Sequence, residues 1–297
     1  FENIERYKNI EAVDWQDEIF GRTAKLQTHN ISVTGGTKAT SFNASYSNNS
    51  QEGIMIGSKF KRQLLNFKMD HDANTKLKIG LGVRYTAQEI DGAGSSPSAA
   101  GSTSSLLRHA IKNRPYNGPD GELEPDVIDD EYFVASDGVF NPLRLAQSQY
   151  RKRYLNNLNL NGYFLYRFNK DLSFRSTAGA NFSNPKTNSF DDFYTANARS
   201  NGAGQPIVTL RNSNNYSLNN SNVLNLEIAD EANSFNILLG QEIYNLRSET
   251  RSDLLKYFPI GITPEKALNQ LNLGTSSPQY PSTYTNESKL LSFFTGA

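Results

Sequence analysis

The 297-residue sequence contains no cysteine, which removes disulfide frameworks and thiolate metal sites together. It has no excess of charge: 30 Lys and Arg stand against 30 Asp and Glu. Binders of nucleic acid present a basic face, so no nucleic-acid partner is expected. No run of about twenty apolar residues occurs, so no transmembrane helix is expected. The three histidines, His29, His71 and His109, fall in different segments without a His-x-x-x-His pair. Neither a metal site nor a cofactor is expected from them. The first residue is Phe1 rather than Met, and an export signal would have to lie upstream of it. The hydrophobic share is only 37%, yet this leaves the membrane open, because in a β-barrel only alternate residues meet lipid.

What is present is long alternation. In Lys76 to Thr86, KLKIGLGVRYT, the residues Leu77, Ile79, Leu81, Val83 and Tyr85 share one face. Lys76, Lys78, Gly80, Gly82 and Arg84 share the other. Successive strand side chains point to opposite faces. The length matches the roughly 9–11 residues that cross a bilayer as a tilted strand, against about five or six in soluble sheets. Phe42, Ala44 and Tyr46 repeat the pattern, as do Leu65, Phe67 and Met69. Leu158, Leu160, Phe164, Tyr166 and Phe168 form another apolar face, opposed by Asn157, Asn159, Asn161 and Arg167. Further strands are expected over 172–182, 216–228, 235–251 and from Tyr284 onward.

The connections alternate in length. Four are tight, at 35–40, 70–76, 168–172 and 229–234, and four are longer, at 47–59, 87–150, 183–215 and 252–283. Outer-membrane barrels have this asymmetry, with short periplasmic turns and long outside loops. Phe42, Phe168, Phe174 and Phe235 lie beside tight turns. Tyr46, Tyr85, Phe182, Tyr216 and Tyr244 lie toward the long loops. Two such belts anchor a barrel at its interfaces. The fold expected is therefore all-β: an antiparallel transmembrane barrel meander of about nine strands, which is part of a larger, even-stranded barrel because an open edge does not close. Short helices are expected in SLLRHAIKN, which stops before Pro115, in TPEKALNQL and near DWQDEIF.

Several motifs in order carry a resemblance. They are Asp14 to Phe20 (DWQDEIF), Asn30 to Gly36 (NISVTGG), Phe42 to Tyr46, Gln51 to Ile54 (QEGI), Arg62, and Leu77 to Tyr85. Over residues 12–86 the chain resembles the early barrel of SusC-type TonB-dependent outer-membrane transporters. The resemblance implies a barrel of roughly 22 strands, of which residues 1–297 form part of one domain, with plug domain and remaining strands absent. It also implies location in the bacterial outer membrane and import of a glycan or peptide, energised by TonB through the plug, under a SusD-type surface lipoprotein. Membrane lipid or lipopolysaccharide would surround it. Two other readings stand beside this one: a structural or adhesive outer-membrane barrel, and a soluble β-rich binding module.

Chemistry within the chain is sparse, and an enzyme is not expected. The acidic stretch Asp120, Glu122, Glu124, Asp126, Asp129, Asp130, Glu131 and Asp137 contains hard oxygens that suit calcium, but it fits no EF-hand spacing and reads equally as a solvated loop. It also offers carboxylate pairs, though no set separation for glycosidase work. No serine is singled out for a triad with His and Asp. GSSPSAAG lacks the strand-glycine-helix context of a phosphate loop. Trp15 reads as packing or as a sugar-stacking ring. Lys78, Arg84, Arg167 and Arg175 face the lumen, where they would meet plug carboxylates, substrate or water. No catalytic, metal or substrate-binding residue is assigned. The loop 92–149 and the loop 184–214 are expected outside, against the lipoprotein lid, with Leu106, Leu107 and Ile111 on one side of a short helix as the anchor.

Overall fold

The computed structural model describes residues 12–92, 106–113, 115, 141–229, 234–276 and 281–296. Nine long strands form one antiparallel sheet: β1 (Leu26–Gly36), β2 (Thr40–Glu52), β3 (Lys59–Asp72), β4 (Leu77–Asp91), β5 (Gln149–Arg167), β6 (Leu172–Asp191), β7 (Ile207–Ala229), β8 (Ser234–Lys256) and β10 (Ser282–Gly296). The two-residue β9 (Thr275–Ser276) pairs with the end of β8. Every long strand is hydrogen-bonded to its sequence neighbour. A meander of this kind is what tight turns and antiparallel ladders produce. No second sheet lies over the first among the described residues, as a soluble β-sandwich would need. No helix among the described residues is long and apolar enough to cross a membrane.

The registers put the expected faces together. Leu77, Ile79, Leu81, Val83 and Tyr85 oppose Tyr166, Phe164, Gly162, Leu160 and Leu158 on β5. Exposed Ile31, Val33, Leu65, Phe182, Leu218, Leu239 and Ile243 lie on that same outer face. One ladder row runs Tyr46, Leu65, Tyr85, Leu158, Phe182 and Tyr216, so the belt expected toward the long loops is a continuous row. The lower belt is also present: the Phe164 and Phe174 rings lie 5.8 Å apart and those of Tyr166 and Phe168 5.0 Å apart. Tyr244 is the exception. It opposes Asn219, which opposes Gly179 and so belongs to the inner, polar face. It lies there beside Leu290. Sequence position alone had set it with the outer belt.

The tight turns fall where expected, but the long connections are shorter than they read. β6 continues to Asp191 and β7 begins at Ile207, so most of 183–215 is strand. β2 and β3 are separated by residues 53–58 alone. The upper strand ends are rich in Asn, Ser, Thr and Lys. Above the bilayer no acyl chains demand an apolar face, so the period-two signal fades while the ladder persists.

Among the described residues five short α-helices lie before and between the strands: α1 (Trp15–Phe20), α2 (Leu106–Lys112), α3 (Pro142–Ser148), α4 (Ala196–Asn201) and α5 (Pro264–Asn269). They form two dry clusters. The first gathers Trp15, Ile19, Met55, Leu106, Leu145 and Tyr194 from α1, α2, α3 and the chain around them. In the second, Phe258 and Ala267 lie against Phe190 and Val208 at the tops of β6 and β7. α3 and α4 were not anticipated. The signal for α3 was available in Asn141-Pro142: the Asn141 side chain accepts from the amides of Leu143 and Arg144 at 3.0 and 3.1 Å, with Pro142 at the first helical position.

Candidate functional site: the inner wall and the outer loops

The inner wall is built by alternation. With the apolar residues of β3 to β6 committed to the outer face, Arg62, Arg84, Thr86, Gln88, Asn159 and Asn181 are left on the inner one, where they line a cavity of about 370 Å³. Leu64 and Asn157 complete its wall. Neither Arg62 nor Arg84 has an ion-pair partner among the described residues, and no carboxylate lines the cavity. The buried Asn157 Oδ1 has no hydrogen-bond partner among them. The arrangement can accept anionic or hydroxyl-bearing groups through two guanidinium forks and several amides.

Toward the tight turns the same wall becomes a closed network. The Tyr163 hydroxyl donates to Asp70 at 2.6 Å, and the Arg175 guanidinium stacks 4.5 Å from the Tyr163 ring centroid. Lys68 lies 3.4 Å from Asp70, and Lys78 lies 3.8 Å from Asp72. Two glycines of β4 make this possible. A Cβ at Gly80 would overlap the Tyr163 ring, and one at Gly82 the Asn161 amide. The structure thus groups Arg84 with Arg62 and sets Lys78 and Arg175 in a separate network. Arg167 lies on the same face, near the turn to β6. Farther round, at β8 and β10, the wall turns apolar, with Tyr244, Leu290 and Phe294 and the Phe294 ring over Gly240.

The family motifs at the start of the chain make an architectural unit. Asp14 Oδ1 caps α1 by accepting from the amides of Gln16 and Asp17 at 2.9 and 3.0 Å. Trp15 and Ile19 are buried in the first loop cluster, so Trp15 packs and offers no sugar platform. Arg22 holds the Gly53 carbonyl with Nε at 2.8 Å and the Ser58 carbonyl with Nη2 at 3.0 Å. The residues just after DWQDEIF therefore lock onto the QEGI turn, and the Ile56 amide donates to the Ile19 carbonyl at 3.0 Å. On α2 the expected anchor divides: Leu106 is buried with His109 and Ala110, while Leu107 and Ile111 are exposed. Positions four apart share a helix face, and Leu106 is offset from that pair.

Above the belt, half-buried Arg151 pairs with buried Asp191 at 2.5 Å, and Arg151 Nη1 also donates to the Tyr150 and Phe190 carbonyls at 2.9 Å each. Lys152 bridges Glu89 at 2.6 Å and Asp91 at 3.6 Å. The hydrogen bond from Lys152 holds the Glu89 carboxyl below its ordinary range, and the same bond raises the Lys152 ammonium. Burial raises Asp192 and Tyr150. The three histidines do not converge: His71 bonds Thr40 Oγ1 at 2.7 Å beside a tight turn, His109 is buried in α2, and His29 is exposed on β1. Among the described residues no group of three His, Asp or Glu is placed to hold a metal. The acidic stretch 120–137 and GSSPSAAG lie outside the described residues.

No family model matches the sequence. TonB-dependent receptor P3 of Formosa agariphila is 26% identical over 286 residues, which is 95% of this chain and 27% of that protein. Among solved structures, the RagAB peptide importer in its open-open state is similar with TM-score 0.71 and 19% identity, over 96% of this chain and 30% of that one. Its closed-closed state gives 0.69 over 96% and 31% at the same identity. P. aeruginosa FpvA bound to pyoverdines is more distant, at TM-score 0.57 and 11% identity over 92% and 33%. The chain is similar in sequence to a TonB-dependent receptor and shares the barrel fold of RagAB. It spans 27% of the length of the curated relative it matches. In the bacterial outer membrane the sheet turns its apolar face to lipid and its Arg62–Arg84 face to the lumen.

Proposed function

We propose that the receptor containing this barrel wall imports a large nutrient, a glycan or a peptide, with energy passed from TonB through a plug and with a SusD-type lipoprotein over its outer mouth. Residues 1–297 are read as part of one barrel domain, with the plug and the other strands supplied by the rest of the receptor. The observation that carries the reading is the luminal cavity with two arginines that have no ion-pair partner among the described residues and with several amides, a surface suited to hydrated, hydroxyl-bearing or anionic groups. RagAB, the similar structure, is described as a peptide importer, which supports a peptide on the same terms as a glycan. The exposed Leu107 and Ile111 on α2 support a docked lid.

The test is growth. Deleting the receptor gene should abolish growth on one macromolecular source, protein hydrolysate or a polysaccharide, and leave growth on its monomers intact. Normal growth on every source with lost adhesion to a matrix would sink the importer and favour an adhesive barrel. Deleting Ser105 to Asp137 should leave a heat-modifiable barrel that co-purifies less lipoprotein. Full recovery of the lid across a range of salt would remove this loop from the docking surface.

A further inference from the structure

The outer face of β5 to β7 has three zones along its height. Below lies the lipid-facing apolar surface, ending in the row Leu158, Phe182 and Tyr216. At the top, Tyr150, Phe190, Val208 and Leu210 are covered by the connection that carries Phe258 and α5. Between the two is a polar recess of about 650 Å³ lined by Tyr154, Asn156, Asn184, Lys186, Asn212 and Asn214. Register and strand alternation set these side chains on the outer face, directly above the belt.

The recess is a built feature. The β6–β7 ladder runs to Ser183–Asn215 and resumes at Lys186–Asn212. The gap falls at Pro185, which has no N–H to give. Across the gap, Asn184 Nδ2 donates to Asn214 Oδ1 at 3.2 Å in place of a ladder bond. The buried Oδ1 atoms of Asn188 and Asn212 have no hydrogen-bond partner among the described residues. Lys186 has no ion-pair partner among them, whereas nearby Lys152 is taken by Glu89 and Asp91, and Arg251 by Asp253.

We propose that this recess holds the phosphorylated sugar headgroup of an outer-leaflet glycolipid. The position selects a lipid: the recess opens immediately above the apolar row, at the height where headgroups begin, and its floor is continuous with the surface that acyl chains cover. The lining selects the headgroup. Amides that donate and accept at once match sugar hydroxyls, an aromatic rim matches an apolar sugar face, and one free ammonium matches a phosphate. The overhanging connection above limits the site to a headgroup lying against the wall. This site is independent of what the lumen transports.

The test uses the intact receptor, extracted from outer membranes in mild detergent and reconstituted in nanodiscs of lipopolysaccharide or of phosphatidylglycerol. Native mass spectrometry and a sugar-phosphate assay read lipid retained per receptor. Lys186→Glu should lower retained lipopolysaccharide roughly fivefold or more, as expected for loss of one charge-assisted contact. Asn156→Leu with Asn214→Leu should lower it similarly. Lys38→Glu, at a tight turn on the opposite side of the membrane, should leave it unchanged. If Lys186→Glu gives no heat-modifiable barrel, Lys186→Gln is read instead. Unchanged retention in the recess variants overturns the site. Equal retention of phosphatidylglycerol by the unsubstituted receptor overturns the sugar headgroup.

Discussion

The lower and upper halves of the same strands are stabilised in different ways. Below the Tyr85–Leu158–Phe182 row, the wall exposes Ile79, Leu81 and Phe164 to lipid and keeps ion pairs and amides on the inner face. Lipid supplies the apolar surroundings, so a single layer of sheet suffices. Above the row no acyl chains are available, yet β6, β7 and β8 run to 20, 23 and 23 residues. There the sheet must bring its own cover. α1, α2 and α3 pack into one cluster, and the connection after β8 covers Phe190 and Val208 in another. Strand length in this protein is therefore set by bilayer thickness below and by loop packing above.

The comparison breaks most sharply at buried Asp191 and its Arg151 partner in the upper half. Arg151→Met leaves the Asp191 carboxylate buried with the Asn197 amide, 2.6 Å away, as its remaining side-chain partner. Removing one member of a buried pair costs about 3–5 kcal/mol. Limited proteolysis of intact receptor should show faster cutting in 192–206, while the heat-modifiable gel shift of the barrel persists. If the barrel shift is lost as well, the two halves do not fold independently.

In the lower half the outer face is the sensitive one. Leu81→Arg should cost about 2–4 kcal/mol and Arg84→Leu much less, since one meets lipid and the other the lumen. Folding titrations in urea with gel-shift readout compare the two. Equal behaviour would mean that the register is inverted.

A smaller effect is expected at the first loop. Asp14→Ala removes the cap of α1 and should cost about 1 kcal/mol, read as increased amide exchange over Trp15–Phe20 with β1 and β2 unchanged. Exchange rising in β1 as well would make the loop cluster part of the barrel's stability.

The smallest is a pH effect at the tops of β4 and β5. Glu89 is held below its ordinary value of 4.5 by Lys152. Its contribution is complete above that value and is lost as pH falls through the lowered one. Lys152, raised by the same bond, keeps its contribution through neutral pH and loses it only in strong alkali. Amide exchange near Glu89 and Lys152 should therefore rise below pH 4.5 while the band around Leu81 stays protected. Exchange independent of pH there would mean that this pair carries no tether.

Sequence alone determined the meander, the tight turns, the outer face from Ile31 to Phe182 and the SusC-type motifs, because lipid enforces a strict period of two wherever it touches a strand. It also placed Lys78, Arg84, Arg167 and Arg175 on the inner wall, by the same alternation. Only the tertiary structure decided that Arg84 shares a cavity with Arg62, that Arg175 stacks on Tyr163 instead, and that Tyr244 faces inward. It alone showed that 183–191 and 207–215 are strand. The physical reason is common to all of these. Stagger between neighbouring strands sets which side chains meet across a ladder, and polar strand ends packed under loops follow no solvent-imposed period. Both are fixed by pairing partners far apart in the chain.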